Sequence, residues 1–208
     1  LRTLSVGCVA PEIEGLDMDG KPMKLSDARG HVVLLEFWGT WCGPCMALVP
    51  EHSKLVQRME GKPFLLLGVN SDADRVAAKQ GGQERGITWR SWFDGGQARH
   101  GDGAIHRAWS IDFWPTMYLI DAHGKIRFKG HLLRGSGEIT DPKRFNPALP
   151  PIPALQKFSY LEDCVDLLVK EAEAARANGS VVVGTLVPAK VRPSARSVLR
   201  PTEVSDQR

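Results

Sequence analysis

The stretch Phe37-Trp38-Gly39-Thr40-Trp41-Cys42-Gly43-Pro44-Cys45 constrains this chain most. The apolar run Val32 to Phe37 leads into it. That run is short, β-branched and Leu-rich, and Gly30 bounds it, so it reads as a buried strand. Past the cysteines, Met46, Leu48, Val49, Leu55, Val56 and Met59 recur at helical spacing, which predicts a helix over Pro44 to Met59. Both cysteines therefore stand where a buried strand turns into a helix, with Cys42 near the helix N-terminus. Strand, Cys-x-x-Cys and helix in that order mark redox chemistry rather than a zinc site. A thiolate is the nucleophile, and a thiol with a pKa of about 8.5 is only ~3% ionised at pH 7. Bringing it to half ionised takes a differential stabilisation of about 2 kcal/mol. The free N–H groups and dipole of a helix N-terminus supply about 0.3–1 kcal/mol of that, and up to ~2 when partly buried. Two intervening residues put Cys45 within disulfide reach. Cys42 can then attack a substrate disulfide, and Cys45 can attack the mixed disulfide to release product.

Length and charge set the frame for this chemistry. The 208 residues suffice for one full core with appendages. At 42% hydrophobic and 25% charged, the composition is that of an ordinary globular protein. A net charge of +3 is too small to argue for nucleic acid or an anionic membrane. No run approaches the ~18 apolar residues of a membrane span. Leu1 stands first and no signal peptide is in view, so the expectation is a processed chain or an excised segment.

Along the chain, Asp19-Gly20 reads as the turn of a β-hairpin between Ile13–Leu16 and Pro22–Leu25. Ser26-Asp27 starts a turn that ends at Gly30. Cys8 reads as a packed thiol without a role. Glu36 is a carboxylate inside an apolar run, costly unless it has a task or a partner; the alternative is a polar edge or a lysine partner. His52 reads as a solvated helix histidine. Pro63 to Val69 reads as a second apolar strand. Asn70-Ser71-Asp72 is expected to cap a helix that runs to Gln80 and breaks at Gly81-Gly82. Ile87 to Phe93 alternates like a strand. Asp94 to Gly103 is a Gly-rich connector without the Gly-Lys-Ser/Thr ending of a phosphate loop. A short helix over Ala104 to Trp109, a strand over Met117 to Ile120, a turn at Asp121–Gly124 and a paired strand from Lys125 follow. Gly135 to Pro153 is rich in Gly and Pro. Ser159 to Glu162 reads as a capping box for a helix ending near Asn178-Gly179, with Cys164 in its core-facing stripe. Val181 to Val183 reads as an added short strand.

WCGPC after an apolar strand, with Trp38 four residues before Cys42, resembles the thioredoxin superfamily. The longer stretch VGCVAPEIEGLDMDGKPMKLSDARGHVVLLEFWGTWCGPC resembles its TlpA/ResA-like thiol-disulfide oxidoreductase branch, through Gly-x-x-Ala-Pro, an Asp-Gly hairpin and a Leu-Ser-Asp turn. The likeness covers about residues 6 to 130 and the helix at 160–177. It implies an α/β thioredoxin-like fold, a mixed central sheet flanked by helices, with an N-terminal β-hairpin and a helix–strand insertion over 71–93. The domain would span 1–178, with a connector at 131–158 and a closing helix at 160–177; residues 179–208 would form a disordered tail or linker.

The same resemblance assigns roles. Cys42 is the nucleophile and Cys45 the resolving thiol, paired as the redox disulfide, with Cys8 and Cys164 outside it. Glu36 takes the proton of Cys45. Trp41, Gly43, Pro44, Trp114 and Pro115 face the substrate, with Pro115 in a cis-proline loop and the two tryptophans rimming an exposed sulfur. No cofactor and no metal is expected. Protein thiols and disulfides are the expected partners, together with an upstream redox partner; the chain is expected to be a monomer outside the cytoplasm. Gly-Pro between the cysteines resembles reducing thioredoxins, so the expected direction is reduction. Many members of the branch carry an acidic residue shortly after the second cysteine, where this chain has Ala47 and Leu48. Three rivals have sequence tests. A thiol peroxidase needs Pro-x-x-x-Thr/Ser-x-x-Cys, and a copper metallochaperone needs wider cysteine spacing and a histidine. A non-enzymatic interaction or redox-sensing domain would show no turnover.

Overall fold

The computed structural model describes residues 4–95, 103–130 and 157–186. Its centre is β3 (Val32–Trp38), a strand buried along its whole length. β4 (Phe64–Asn70) lies parallel beside it, in register Val32 to Phe64 through Trp38 to Asn70. On the other side β6 (Thr116–Ile120) runs antiparallel, pairing Phe37 with Thr116. β5 (Ser91–Phe93) and β7 (Ile126–Gly130) form the edges, giving the order β5-β4-β3-β6-β7. A separate two-stranded hairpin, β1 (Glu14–Leu16) with β2 (Pro22–Lys24), turns through Gly20 at φ 75°. A 3-10 turn over Leu25–Ala28 leads to Gly30, whose φ of 81° suits glycine.

Alternation along β3 sorts the two cores. Val33, Leu35 and Phe37 face one layer with Trp92, Trp109 and Tyr118. Val32 and Leu34 face the other, with Val49 and Leu55 of α1 (Gly43–Arg58) and Leu161, Val165 and Leu168 of α4 (Lys157–Ala177). α2 (Arg75–Glu84) and α3 (Ala104–Ala108) complete the layers. This is the expected mixed sheet flanked by helices, with the hairpin and the inserted helix and strand in place.

Several local expectations change. α2 is capped by Asp74, whose side chain accepts from Ala77 N–H, and it runs through Gly81 and Gly82. A Cβ on Gly82 would come 3.2 Å from the Trp38 ring, and one on Gly81 would come 3.2 Å from Thr40 Cγ2. Close packing on the site thus outweighs the roughly 0.5–1 kcal/mol that each helical glycine costs. β5 is three residues long rather than seven. α4 begins at Lys157, so Ser159 sits inside it and not at a cap. Val181 to Val183 lies outside any strand. Beyond it Gly184 N–H donates to Arg29 O and Leu186 N–H to Asp27 O, so the chain continues onto the 3-10 turn. Most of the Gly-rich connector (96–102), the Gly/Pro-rich stretch at 131–156 and residues 187–208 lie outside the described residues.

Arg176 ties α4 to the start of β3 by donating from Nε to Gly30 O. His31 stands next to this contact, buried, and burial first and the Arg176 charge second lower its pKa below 6.5. Folded His31 therefore binds its proton less tightly than in the unfolded chain. The stability this represents is complete above about pH 6.5 and is lost as pH falls below it. The melting temperature of His31→Gln should fall less between pH 7.5 and pH 5 than that of the wild type. Equal losses in thermal melts at the two pH values would remove His31 from the acid response.

Candidate active site around Cys42 and Cys45

β3 delivers the chain to the site, and a hydrogen-bonded loop holds it there. Parallel pairing sets Asn70 beside Trp38, so residues 70–72 run alongside 38–40. Ser71 N–H and Oγ both donate to Trp38 O. Asp72 accepts from Thr40 N–H at 2.9 Å, from Thr40 Oγ1 at 2.6 Å and from Asn70 Nδ2 at 2.6 Å. Asp72, read from the sequence as part of a helix cap, instead anchors the turn that presents the cysteines. Only the pairing of β3 with β4 brings it there.

Cys42 is the N-cap residue of α1, with extended backbone at φ −83° and ψ 93°. Its Sγ accepts from Cys45 N–H at 3.1 Å, which directs an otherwise unpaired helix N–H at the sulfur. Pro44 lies in the first turn, where its missing N–H costs nothing. Cys42 and Cys45 form a disulfide, with Cα atoms 5.2 Å apart. Cys8 and Cys164 are thiols outside it.

The rim differs from the expected exposed sulfur. Cys42 is 4% exposed, because the sulfurs pack with Trp38, Met46 and Trp114. Trp41 is 39% exposed and meets Trp114 edge to face at 5.3 Å. Phe113, which the sequence reading passed over, adds an exposed aromatic ring next to Trp114. The Trp114–Pro115 peptide bond is cis. Thr116 Oγ1 donates to Phe113 O at 2.6 Å and closes this loop.

Behind Trp114 lies a pair that sequence reading missed. His106 stacks at 5.6 Å from the Trp114 ring, and its Nδ1 meets Asp94 Oδ2 at 2.6 Å. The Asp94 carboxylate also accepts from the N–H groups of Ile105 and His106, so it holds the start of α3 as well. By sequence alone Asp94 reads as the start of a plain connector.

Glu36 lies on the α1 side of the sheet, 2% exposed, between Gly68 of β4 and Met117 of β6. Among the described residues it reaches neither a polar edge nor a lysine. Its Oε2 is 3.3 Å from Nδ1 of His52, which is fully buried rather than solvated. The signal lay in the spacing Cys45, Val49, His52, which puts all three on one helix face; all three are buried. Among the described residues no group of three or more His, Cys, Asp or Glu side chains could hold a metal ion, and no helix is long and apolar enough to cross a membrane.

The Redoxin family model matches residues 5–134, more than half the chain. The chain belongs to the redoxin family. Within it the thiol-disulfide oxidoreductases stand near. ResA of Bacillus anthracis is 30% identical over 123 residues, 59% of this chain and 68% of its own. ResA of Bacillus subtilis strain 168 is 28% identical over 125 residues, 60% of this chain and 66% of its own. The crystal structure of the thioredoxin domain of a thiol-disulfide oxidoreductase from Bacteroides vulgatus superposes with a TM-score of 0.54 at 27% identity, covering 61% of this chain and 89% of that one. This redoxin is thus a TlpA/ResA-like member of the thioredoxin superfamily. With its Cys42–Cys45 pair, it is an oxidoreductase that carries out thiol–disulfide exchange.

Proposed function

We propose that the protein works outside the cytoplasm as a reductant of disulfides in other proteins. The observation that carries this reading is Cys42 at the α1 N-cap, joined to Cys45 and accepting a helix N–H at its sulfur. That N–H and the helix dipole favour the Cys42 thiolate once the pair is reduced. The likeness to ResA and the Gly-Pro between the cysteines support the direction, and the same likeness supports the location.

In the proposed cycle the Cys42 thiolate attacks one sulfur of the substrate disulfide and expels the other as a thiolate. The Cys45 thiol gives its proton to Glu36 and attacks Cys42 Sγ. The Cys42–Cys45 disulfide forms, and the second substrate sulfur leaves and takes up the proton. Two electrons pass from protein to substrate, and an upstream dithiol restores the pair. Trp41, Trp114 and Pro115 receive the substrate chain, and Gly43 and Pro44 keep the sulfur side free of bulky side chains. A backbone free of the proline N–H suits an extended segment laid against the loop.

Equilibration of the Cys42–Cys45 pair in graded thiol/disulfide buffers tests the direction. The expected reduction potential lies near the thioredoxin end, about −270 mV. A value near the oxidant end, about −120 mV, would make the protein a source of disulfides.

A further inference from the structure

His52 belongs to the same machinery. We infer that it is a positioning residue, a buried imidazole that orients Glu36 and shares the proton that Glu36 receives from Cys45. The inference rests on the reading of Glu36 as proton acceptor.

The geometry supports it in three ways. First, both groups sit in an apolar layer. Around them β3 presents Leu34, β4 presents Leu66 and Gly68, and β6 presents Met117 and Leu119. The Trp89 ring stands edge to face with His52 at 5.8 Å. Among the described residues, the other titratable side chains buried on this face of the packed elements are Cys45 of α1 and Cys164 of α4. A lone carboxylate here would be strongly desolvated, and the imidazole 3.3 Å from Oε2 is the polar neighbour that offsets this.

Second, the two carboxylate oxygens are unlike. Oε2 faces His52 Nδ1, whereas Oε1 is buried with no protein hydrogen-bond partner among the described residues. One oxygen has the imidazole beside it at 3.3 Å, and the other is open to a proton. Third, His52 is seven residues from Cys45 on α1, about 10 Å along the helix axis. It stands away from the sulfurs and acts through Glu36.

The proton balance is simple. With Glu36 ionised and His52 neutral, the pair carries one net negative charge. It accepts one proton from Cys45 and becomes net neutral, the proton lying between Oε2 and Nδ1 or on Oε1. The pair then returns that proton to the departing substrate thiolate. A product state without net charge is the one that an apolar layer favours.

The test separates the two exchange steps. The reduced full chain is mixed with 5,5′-dithiobis(2-nitrobenzoate) in a stopped-flow instrument. The first release of thionitrobenzoate reports Cys42 attack, and the second reports resolution by Cys45. His52→Leu should leave the first phase as in wild type. It should slow the second by about tenfold at pH 7, less than the roughly hundredfold or greater loss expected when the base itself is removed in Glu36→Gln. It should also displace the pH dependence of the second phase. His52→Gln, which donates a hydrogen bond but cannot titrate, should recover part of the rate without the wild-type pH profile. A role in packing alone would change stability and leave that profile in place. If Glu36→Gln is slow while His52→Leu keeps the wild-type rate and profile, the inference on His52 is overturned and the Glu36 reading stands. If Glu36→Gln itself behaves as wild type, the Glu36 reading fails and His52 with it. Should His52→Leu not fold, His52→Gln decides, and a wild-type profile there overturns the inference.

Discussion

Cys42→Ser is expected to reduce disulfide exchange to the uncatalysed background, while Cys45→Ser retains the first attack and stalls as a mixed disulfide. The two cysteines have different surroundings. Cys42 Sγ is the one that accepts the helix N–H, and it packs against Trp114 on the rim side. Cys45 is 1% exposed on the buried face of α1. A serine hydroxyl at position 42 is a far weaker nucleophile without an adjacent base. A serine at position 45 leaves the Cys42–substrate bond with no internal attacker. Turnover with a protein disulfide, together with mass spectrometry of the covalent adduct, reads both variants. An adduct on Cys45 in the Cys42→Ser variant would reverse the assignment. Loss of fold does not confound the result, because so short a disulfide loop contributes only about 2 kcal/mol by chain entropy.

Trp92→Ala should cost the fold more than any surface change. Trp92 is fully buried on the edge strand β5, and its Nε1 donates to Met23 O of the hairpin at 2.8 Å. Asp17, just past β1, bridges to Trp92 through the backbone. Removing the indole opens a cavity worth about 3–5 kcal/mol and takes away the buried hydrogen bond to Met23 O. For a domain of this size the melting point should drop by about 10 °C or more. Trp92→Phe should fall between wild type and alanine, because it refills most of the volume but not the hydrogen bond. A loss below about 1 kcal/mol for Trp92→Ala in denaturant titration would show that the hairpin is held by other contacts.

The strands at the centre of the sheet, α1, the hairpin turn and the cysteine pair are legible because each is written in local terms. Apolar runs, helical spacing, Asp-Gly and Cys-x-x-Cys act within a few residues of themselves. Pro115 and Glu36 were singled out for the same reason: a proline before an apolar strand and a carboxylate within one are visible in a single window. The misreadings share a different cause. Asp72 reads as a cap because Asn-Ser-Asp favours caps, yet its partner Thr40 is 32 residues away. Gly81 and Gly82 were read as breakers because their cost is local, while the Trp38 and Thr40 contacts that require them are not. His52 was read as solvated because a histidine on a helix usually is, and Glu36 on β3 is what it meets.

The sequence by itself determined the order of elements, the place of the disulfide at a strand-to-helix junction and the exchange chemistry that follows, since these depend on spacing along the chain. Only the tertiary structure decided how the site is held and what surrounds its proton. The Asp72 anchor, the packing of Trp114 against Cys42 and Cys45, the Asp94–His106 pair and the Glu36–His52 pair all join residues from different elements. Burial turns such pairs into strong interactions, and burial is set by which elements pack together rather than by what any one of them contains.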